Sequence, residues 1–191
     1  MENLILHKRE KKTLHDAKKG RRSGIIPGVI YGKHMNNIMF EIGELELSKE
    51  IAKNGEHAVL NVDVDGETHR TLIKEIQRDP VHNKIIHLDL EELKENETVV
   101  TEIPILFSGE ELIMKKGGAV QKEKSSVKAV CKSDNIPKCI NVGLASLNVG
   151  DAYRLADVEM AQDITFMEGL DTIIATITVN KKPSDIPEEN S

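Results

Sequence analysis

Apolar and polar residues alternate most regularly in the segment AVLNVDVDGETHRTLIKEIQ, residues 58–77. Every second position over residues 58–64 is apolar, and Asp65 and Gly66 follow directly. Glycine accepts positive φ without strain and aspartate tolerates it better than most residues, so this pair suits a type I′ turn. The pattern predicts a β-hairpin whose second strand continues through Leu72.

A second alternating stretch, KIIHLDL, predicts another strand, in which Ile86, Leu88 and Leu90 face the core while His87 and Asp89 share the opposite face. Two positions apart on a strand, the two polar side chains point the same way, with Cα atoms about 6.5–7 Å apart. They form either an ordinary solvated face or a donor and an acceptor offered to base edges, riboses or phosphates. The residues alone leave both interpretations open.

The pattern before residue 58 is more broken. Apolar runs predict strands over residues 4–6, 25–31 and 38–42, and Pro27 favours an edge strand or the first residues of a strand because it cannot donate to a ladder. The intervening segment HKREKKTLHDAKKGRR is too polar to pack well, so we expect it to be mobile or weakly helical until a ligand orders it. Good helix formers before an Asn-Gly pair predict a short helix over residues 44–54.

The second half of the chain has its own set of strand patterns, over residues 99–107, 126–131, 139–142 and 171–179. In the last of them, Ile173, Ala175, Ile177 and Val179 are predicted to share one face. The charged run EELKENE separates the two halves and marks a domain boundary. We therefore expect a mainly β protein with two β-domains. The first domain spans residues 1–95, the second spans residues 96–180, and residues 181–191 form a disordered tail.

Charge is distributed unevenly along the chain. Residues 1–40 carry a net charge of +6, whereas residues 41–95 carry −7 and residues 96–191 carry −5, for a total of −6. A basic arm on an acidic body attracts a polyanion at one end while the rest repels it. The arm is either the oriented binding end of the protein or simply a solvated terminus.

Signatures of catalysis and of metal binding are missing from the sequence. There is no GxGxxG, Walker, HExxH or GxSxG motif, and the seven histidines share no ligand spacing. Cys131 and Cys139 have no partner pair, which excludes a disulfide framework or zinc ribbon and predicts structural thiols. We expect no enzymatic activity, cofactor, metal site or small-molecule substrate.

Composition also narrows the location and the kind of partner. No apolar run approaches the roughly 18 residues of a membrane span, and the N-terminus lacks the order of a secretory signal, so we expect a cytoplasmic protein with no membrane partner. The chain has no Trp and only two Tyr, which argues against a base-stacking platform for single strands. A helical RNA recognised by backbone shape and a few polar side chains fits better.

A family resemblance then covers the chain up to about residue 180. The segments RRSGIIPGVIYG, IKEIQRDPVHNKIIHLDL, VTEIPILFSGEE, KKGGAV, DNIPKCINVGLASLNVGDAYRLADV and ITFMEGLDTIIATITV occur in order. They resemble the bacterial large-subunit ribosomal proteins that bind 5S rRNA, in the two-domain form of the general stress protein Ctc type. So many ordered segments are far more specific than any single motif.

The resemblance implies a small N-terminal β-barrel with a few short helices that docks on the loop E helix of 5S rRNA, largely from the minor-groove side. Lys18 and Lys19 occupy positions where relatives commonly carry arginine. Arginine offers a planar group that can form two parallel hydrogen bonds, whereas lysine offers only a point charge. Two further cations of the arm, Arg21 and Arg22, are the first two residues of the segment RRSGIIPGVIYG. The candidate RNA-binding residues are Arg9, Lys18, Lys19, Arg21, Arg22, Tyr31, Gln77, His87 and Asp89.

The function expected from the resemblance is that of a structural protein of the large ribosomal subunit, with 5S rRNA as its partner and other large-subunit components as possible neighbours. An alternative remains, in which the acidic C-terminal domain acts as a stress-related protein-interaction module. That alternative predicts a protein partner that survives RNase treatment.

Overall fold

The computed structural model describes residues 3–9, 14–33, 35–159 and 163–180, and the side chains of residues 14 and 15 lie outside that description. Its contacts divide the chain into two compact units. The first holds the residues up to Thr101 together with Cys131–Lys138, and the second holds Glu102–Val130 and the residues from Cys139 onwards. The predicted boundary after residue 95 stays a prediction, and the predicted disordered tail lies outside the described residues.

The first unit is built around a closed, six-stranded β-barrel, as expected from the resemblance. Around the barrel the strands follow the order β1-β3-β2-β6-β5-β4, and parallel pairing of β1 with β4 closes the ring. The pairing of β2 with β6 is parallel too, whereas the other neighbours are antiparallel. The strands are β1 (Leu4–Lys8), β2 (Ile25–Gly32), β3 (Met35–Gly43), β4 (Val59–Val64), β5 (Glu67–Arg78) and β6 (Ile85–Glu92).

Two helices accompany the barrel. The polar segment between β1 and β2 forms α1 (Leu14–Arg22), which agrees with the weakly helical alternative for that part of the segment. The predicted helix α2 (Glu44–Asn54) is confirmed with the same limits; it buries Leu47 and ends at Gly55, whose φ is 96°. The hairpin is confirmed as well, since the φ angles of Asp65 and Gly66, 54° and 88°, both have the positive sign of a type I′ turn.

The barrel interior is filled by inward-facing aliphatic side chains and one aromatic ring. Leu6, Ile30, Phe40 and Leu88 are almost fully buried there. Gly28 leaves room for the Phe40 ring, because a Cβ at that position would collide with the ring and lie 2.5 Å from the carbonyl oxygen of Leu88. The core therefore depends on a side-chain-free position in β2.

Three details of the barrel differ from the sequence prediction. The core face of β6 begins with Ile85 rather than Ile86, because the pairing with β5 is irregular between Gln77 and Arg78 and changes the alternation. Pro27 is the third residue of β2, as one alternative held, but the strand is not an edge strand, because β2 lies between β3 and β6. Strand β6 continues to Glu92, into the charged run EELKENE that was predicted to separate the two halves.

Segment 131–138 is held to the barrel by a set of hydrogen bonds inside the first unit. Arg70 on β5 donates from Nη1 to Asp134 Oδ1 (2.6 Å) and from Nη2 to the carbonyl oxygen of Ser133 (3.1 Å). The amide of Asn96 donates to Asp134 Oδ2 (3.0 Å), and Ser133 Oγ donates to the carbonyl oxygen of Lys94 (2.7 Å). We call this set the Arg70–Asp134 clasp.

The second unit contains two sheets and one short helix. One sheet has the order β10-β7-β9-β12 and the other has the order β11-β13-β8. Its core includes Ile103, Ile140 and Ile174. The elements are β7 (Thr98–Ser108), α3 (Glu110–Lys115), β8 (Gly118–Lys122), β9 (Ser126–Lys132), β10 (Ile140–Gly143), β11 (Ala152–Arg154), β12 (Ile164–Phe166) and β13 (Ile173–Val179).

The four strands predicted for this half are confirmed, and the structure adds β8, β11, β12 and α3. The predicted face of β13 is partly wrong: Ala175 and Ile177 are buried, but Ile174 is buried as well and Val179 is 62% exposed. Both cysteines have free thiols, and Cys131 is buried. A mainly β architecture is therefore confirmed.

Candidate nucleic-acid interface

The outer surface of β2, β6 and β5 brings together four of the predicted site residues. In the ladder between β5 and β6, Gln77 lies opposite His87 and Glu75 lies opposite Asp89. Tyr31 lies on β2, whose last paired residues run alongside the end of β6. Because strands are about 4.8 Å apart, these side chains occupy one continuous surface, which we call the strand face.

His87 and Asp89 form the centre of the strand face. Nδ1 of His87 is 2.6 Å from Oδ1 of Asp89, and the side chains are 33% and 23% exposed. When the ring is neutral, a carboxylate so close holds the proton on Nδ1, and Nε2 can then accept a hydrogen bond from a ligand. The second oxygen of Asp89 remains an acceptor as well. The pair is therefore organised and accessible rather than sealed in the core.

The phenol of Tyr31 lies close enough to several carboxylates for their charges to change its pKa. Partial burial, followed by the negative charges of Asp89, Glu91 and Glu75, raises the pKa of Tyr31 above its ordinary value of 10.0. The phenol is therefore protonated at neutral pH and both donates and accepts hydrogen bonds. The same shift indicates that the strand face itself is acidic, although basic residues flank it.

Arg9 lies at the end of β1, beside β3. Its amide donates to the carbonyl oxygen of Met39 (2.8 Å), and its Nε is 3.0 Å from Glu41 Oε1. That contact is an ion pair without an aligned hydrogen bond, and the side chain is only 13% exposed. Arg9 is therefore a largely covered cation, not a free arm.

The cations of α1 lie on the helix that precedes β2 and packs against it. Lys18, Lys19 and Arg22 are exposed, and Arg21 is half-buried. Lysine and arginine in the last turn of a helix also suit its dipole, which places partial negative charge at that end. Three of these residues line a groove of about 380 Å³, whose full lining is Lys18, Arg21, Arg22, Ile26, Glu44, Asp79, His82, Lys84, Ile85 and Ile86.

The groove and the strand face are adjacent along β6. Ile85 and Ile86 line the groove, and His87 is the next residue of the same strand. The structure thus connects the cations of α1 with the polar pair through one strand. Sequence reasoning missed Glu75, although it lies two positions before Gln77, and it missed Lys84, which directly precedes the strand.

Other kinds of site find no support in the described part of the chain. There, no group of three or more His, Cys, Asp or Glu side chains is placed to hold a metal ion. Among the same residues, no helix is long and apolar enough to cross a membrane.

Comparisons with known proteins identify the family of the chain. Residues 4–90 match the model of the Ribosomal L25p family, and residues 98–181 match the model of the ribosomal protein TL5 C-terminal domain. The chain is 44% identical over 182 residues to the large ribosomal subunit protein bL25 of Clostridium perfringens, covering 95% of this chain and 90% of the relative. It therefore belongs to the bL25 family of large ribosomal subunit proteins.

Two further relatives extend the similarity. The large ribosomal subunit protein bL25 of Caldanaerobacter subterraneus is 34% identical over 174 residues, which cover 91% of this chain and 87% of that protein. The general stress protein Ctc of Bacillus subtilis is 31% identical over 173 residues, which cover 90% and 85%. The family resemblance found in the sequence is thereby confirmed.

Proposed function

We propose that this chain is a structural, non-enzymatic protein of the large ribosomal subunit that binds the loop E helix of 5S rRNA through residues 1–95. Its place would then be on the cytoplasmic ribosome. The observation that carries the proposal is the joining, along β6, of the His87–Asp89 pair to a groove lined by α1 cations. Membership of the bL25 family supports the same assignment.

The chemistry of the surface suits a folded RNA helix. Exposed Lys18 and Lys19 are placed for phosphate oxygens, which supply the salt-dependent part of affinity. Asp89 can only accept hydrogen bonds, and the minor groove of an RNA helix presents two kinds of donor, the amino group of guanine and the ribose 2′-hydroxyl. Tyr31 and Gln77 can each donate and accept, so they suit riboses and base edges.

An RNA-binding measurement tests the assignment. We expect Lys18→Ala with Lys19→Ala to weaken binding to a loop E fragment and to lower the slope of log affinity against log salt by about 1 for each phosphate that is no longer neutralised. His87→Ala should weaken binding by about 1–3 kcal/mol, or roughly 5- to 150-fold, with little change in salt slope. Arg9 is a poorer choice for this test, because it is covered by its contact with Glu41.

The matched control uses two exposed lysines of α2. Lys49→Ala with Lys53→Ala makes the same change in net charge on the same unit. Equal losses of affinity for the two double variants would show that binding depends on net charge and not on the position of the α1 lysines. A loss below threefold for His87→Ala would remove that residue from the site.

Sedimentation distinguishes RNA binding from the protein-interaction alternative. We expect the tagged chain to sediment with large subunits and to be released by RNase. Retention of a protein partner after RNase, with no binding to the loop E fragment, would favour a protein-interaction module instead.

A further inference from the structure

The groove beside α1 contains cations that neither the family resemblance nor the strand face assigns. Lys84, together with His82, comes from the turn between β5 and β6, and both residues line the same groove as Lys18, Arg21 and Arg22 of α1. Two separate elements thus converge their basic side chains on one cavity of about 380 Å³. Convergence of this kind is what an anionic group requires.

The turn that carries Lys84 is fixed by its own hydrogen bonds. The amide of Asp79 donates to the carbonyl oxygen of Lys84 (2.8 Å), and the amide of Asn83 donates to the carbonyl oxygen of Asp79 (2.8 Å). Asn83 has a φ of 55°, the left-handed conformation that asparagine adopts more readily than most residues. Lys84 is therefore presented from a rigid turn, and less entropy is lost when it binds.

The nearest acid on this turn is already engaged. Asp79 Oδ1 accepts from the amides of His82 (2.8 Å) and Val81 (3.0 Å). These hydrogen bonds stabilise the carboxylate, and they lower the pKa of Asp79 below its ordinary value. Four permanent cations and two carboxylates, the second being Glu44, line the groove, so the cavity retains a positive balance.

We propose that this groove binds a backbone phosphate of the RNA and that Lys84 is a phosphate-contacting residue. The proposal rests on the proposed function, because it takes the phosphate from the RNA that the strand face reads. Its position fits, since Ile86 at the groove precedes His87 on β6. Ile26 and Ile85 of the lining are buried in the barrel core, and half-buried Ile86 is the apolar side chain suited to the carbon face of a ribose next to that phosphate.

The first experiment measures loop E binding for Lys84→Gln over a range of salt concentrations. We expect affinity to fall about 3- to 10-fold at moderate salt and the salt slope to decrease by about 1. Lys53→Gln, an equal change of charge on exposed α2, is the control and should leave both quantities unchanged. Unaltered affinity and slope for Lys84→Gln, with wild-type binding intact, would overturn the groove but not the proposed function.

The second experiment locates the phosphate. Single methylphosphonate linkages, which carry no charge, are placed one at a time in the loop E fragment. We expect one linkage, or two neighbours, to weaken the wild type without further weakening Lys84→Gln. Equal sensitivity of both proteins at every linkage would overturn the proposal.

A third experiment tests whether the anion in the groove comes from the RNA backbone or is a free phosphate. Inorganic pyrophosphate is titrated into the full chain and followed by amide chemical shifts over residues 18–22 and 79–86. Weak binding in the millimolar range, displaced by the loop E fragment, is the expected result. Tight pyrophosphate binding in a chain that does not bind loop E would overturn both the RNA source and the proposed function.

Discussion

At the scale of single residues, the notable feature is that the surface proposed to bind RNA itself carries carboxylates. Glu75, Asp89 and Glu91 surround Tyr31, and Nζ of Lys74 neutralises Glu91 at 2.8 Å. A phosphate backbone would be repelled from such a surface, whereas base amino groups would be attracted to it. The charge of the strand face is therefore better suited to groove edges than to phosphates, and the proposed phosphate contacts are those of the cations around it.

The titration of Tyr31 tests this arrangement in solution. Because the carboxylates raise the pKa of Tyr31, Asp89→Asn should lower that pKa towards 10.0 without fully reaching it, since burial still contributes. Ultraviolet difference absorbance in a Tyr153→Phe background isolates Tyr31, the only other tyrosine. Glu123→Gln, an exposed change in the second unit, should have no effect; an equal effect would place Asp89 away from the phenol.

The raised pKa of Tyr31 also predicts that the free energy of unfolding decreases at high pH. The folded state holds the phenolic proton more tightly than the unfolded state. The stabilisation is complete below the unfolded pKa of about 10 and is lost as the pH rises through the folded pKa.

At the scale of elements, strand β2 determines how closely the barrel can pack. Gly28 faces inward between Phe40 and the backbone of β6, and no side chain fits there. Gly28, which lies in the family segment RRSGIIPGVIYG, is thus a packing position as well as part of a motif. Any Cβ must displace either an aromatic ring or a strand.

The prediction for this element concerns Gly28→Ala. We expect it to reduce the free energy of unfolding by about 1–3 kcal/mol, as overpacking of a dense core does. Urea denaturation followed by Tyr31 fluorescence, in the Tyr153→Phe background, reports on the first unit. Gly20→Ala in α1 of the same unit, where a Cβ would meet nothing closer than 3.7 Å, serves as the control; a Gly28→Ala loss no larger than that of the control would contradict the packing argument.

Alternation predicted which strands exist, but it did not predict where their register changes. The hairpin followed directly from period two and the Asp-Gly turn, and His87 and Asp89 share a face as expected. The irregularities beside Lys74 and Arg78 depend on pairing with a distant strand, so no local pattern reveals them. For the same reason the partner of Arg9, Glu41 on β3, was not visible in the sequence.

At the scale of the whole molecule, the division into units does not follow the order of the chain. A segment beyond residue 130 belongs to the barrel unit, where the Arg70–Asp134 clasp holds it. The charged run that begins at the end of β6 was predicted to mark the boundary, yet within it Asn96 has a φ of 57° and its amide donates to Asp134. A boundary drawn from composition could not include a contact made by residues so far apart.

Hydrogen exchange tests the clasp. The hydrogen bond from Arg70, followed by that from the amide of Asn96, lowers the pKa of Asp134 below 3.8. The clasp is therefore fully formed above that ordinary value and is lost as the pH falls through the folded pKa. We expect Asp134→Ala to speed exchange of the Asn96 amide at neutral pH.

The amide of Asn148 provides an internal reference for that measurement. It donates to Asp151 Oδ2 (2.8 Å) in the second unit and should exchange equally in both proteins. Unchanged exchange at Asn96, or equal acceleration at both amides, would show that the clasp does not hold the segment in solution.

The closed ring imposes an order on events during synthesis. Strand β2 is complete at residue 32, but its neighbour β6 begins only at residue 85, and β6 is also the neighbour that β5 requires. Until the ribosome has released residues 85–92, the nascent barrel is open on both sides of the missing strand and exposes unpaired backbone. His87 and Asp89 lie on that last strand, so the surface proposed to read RNA cannot exist before the ring has closed.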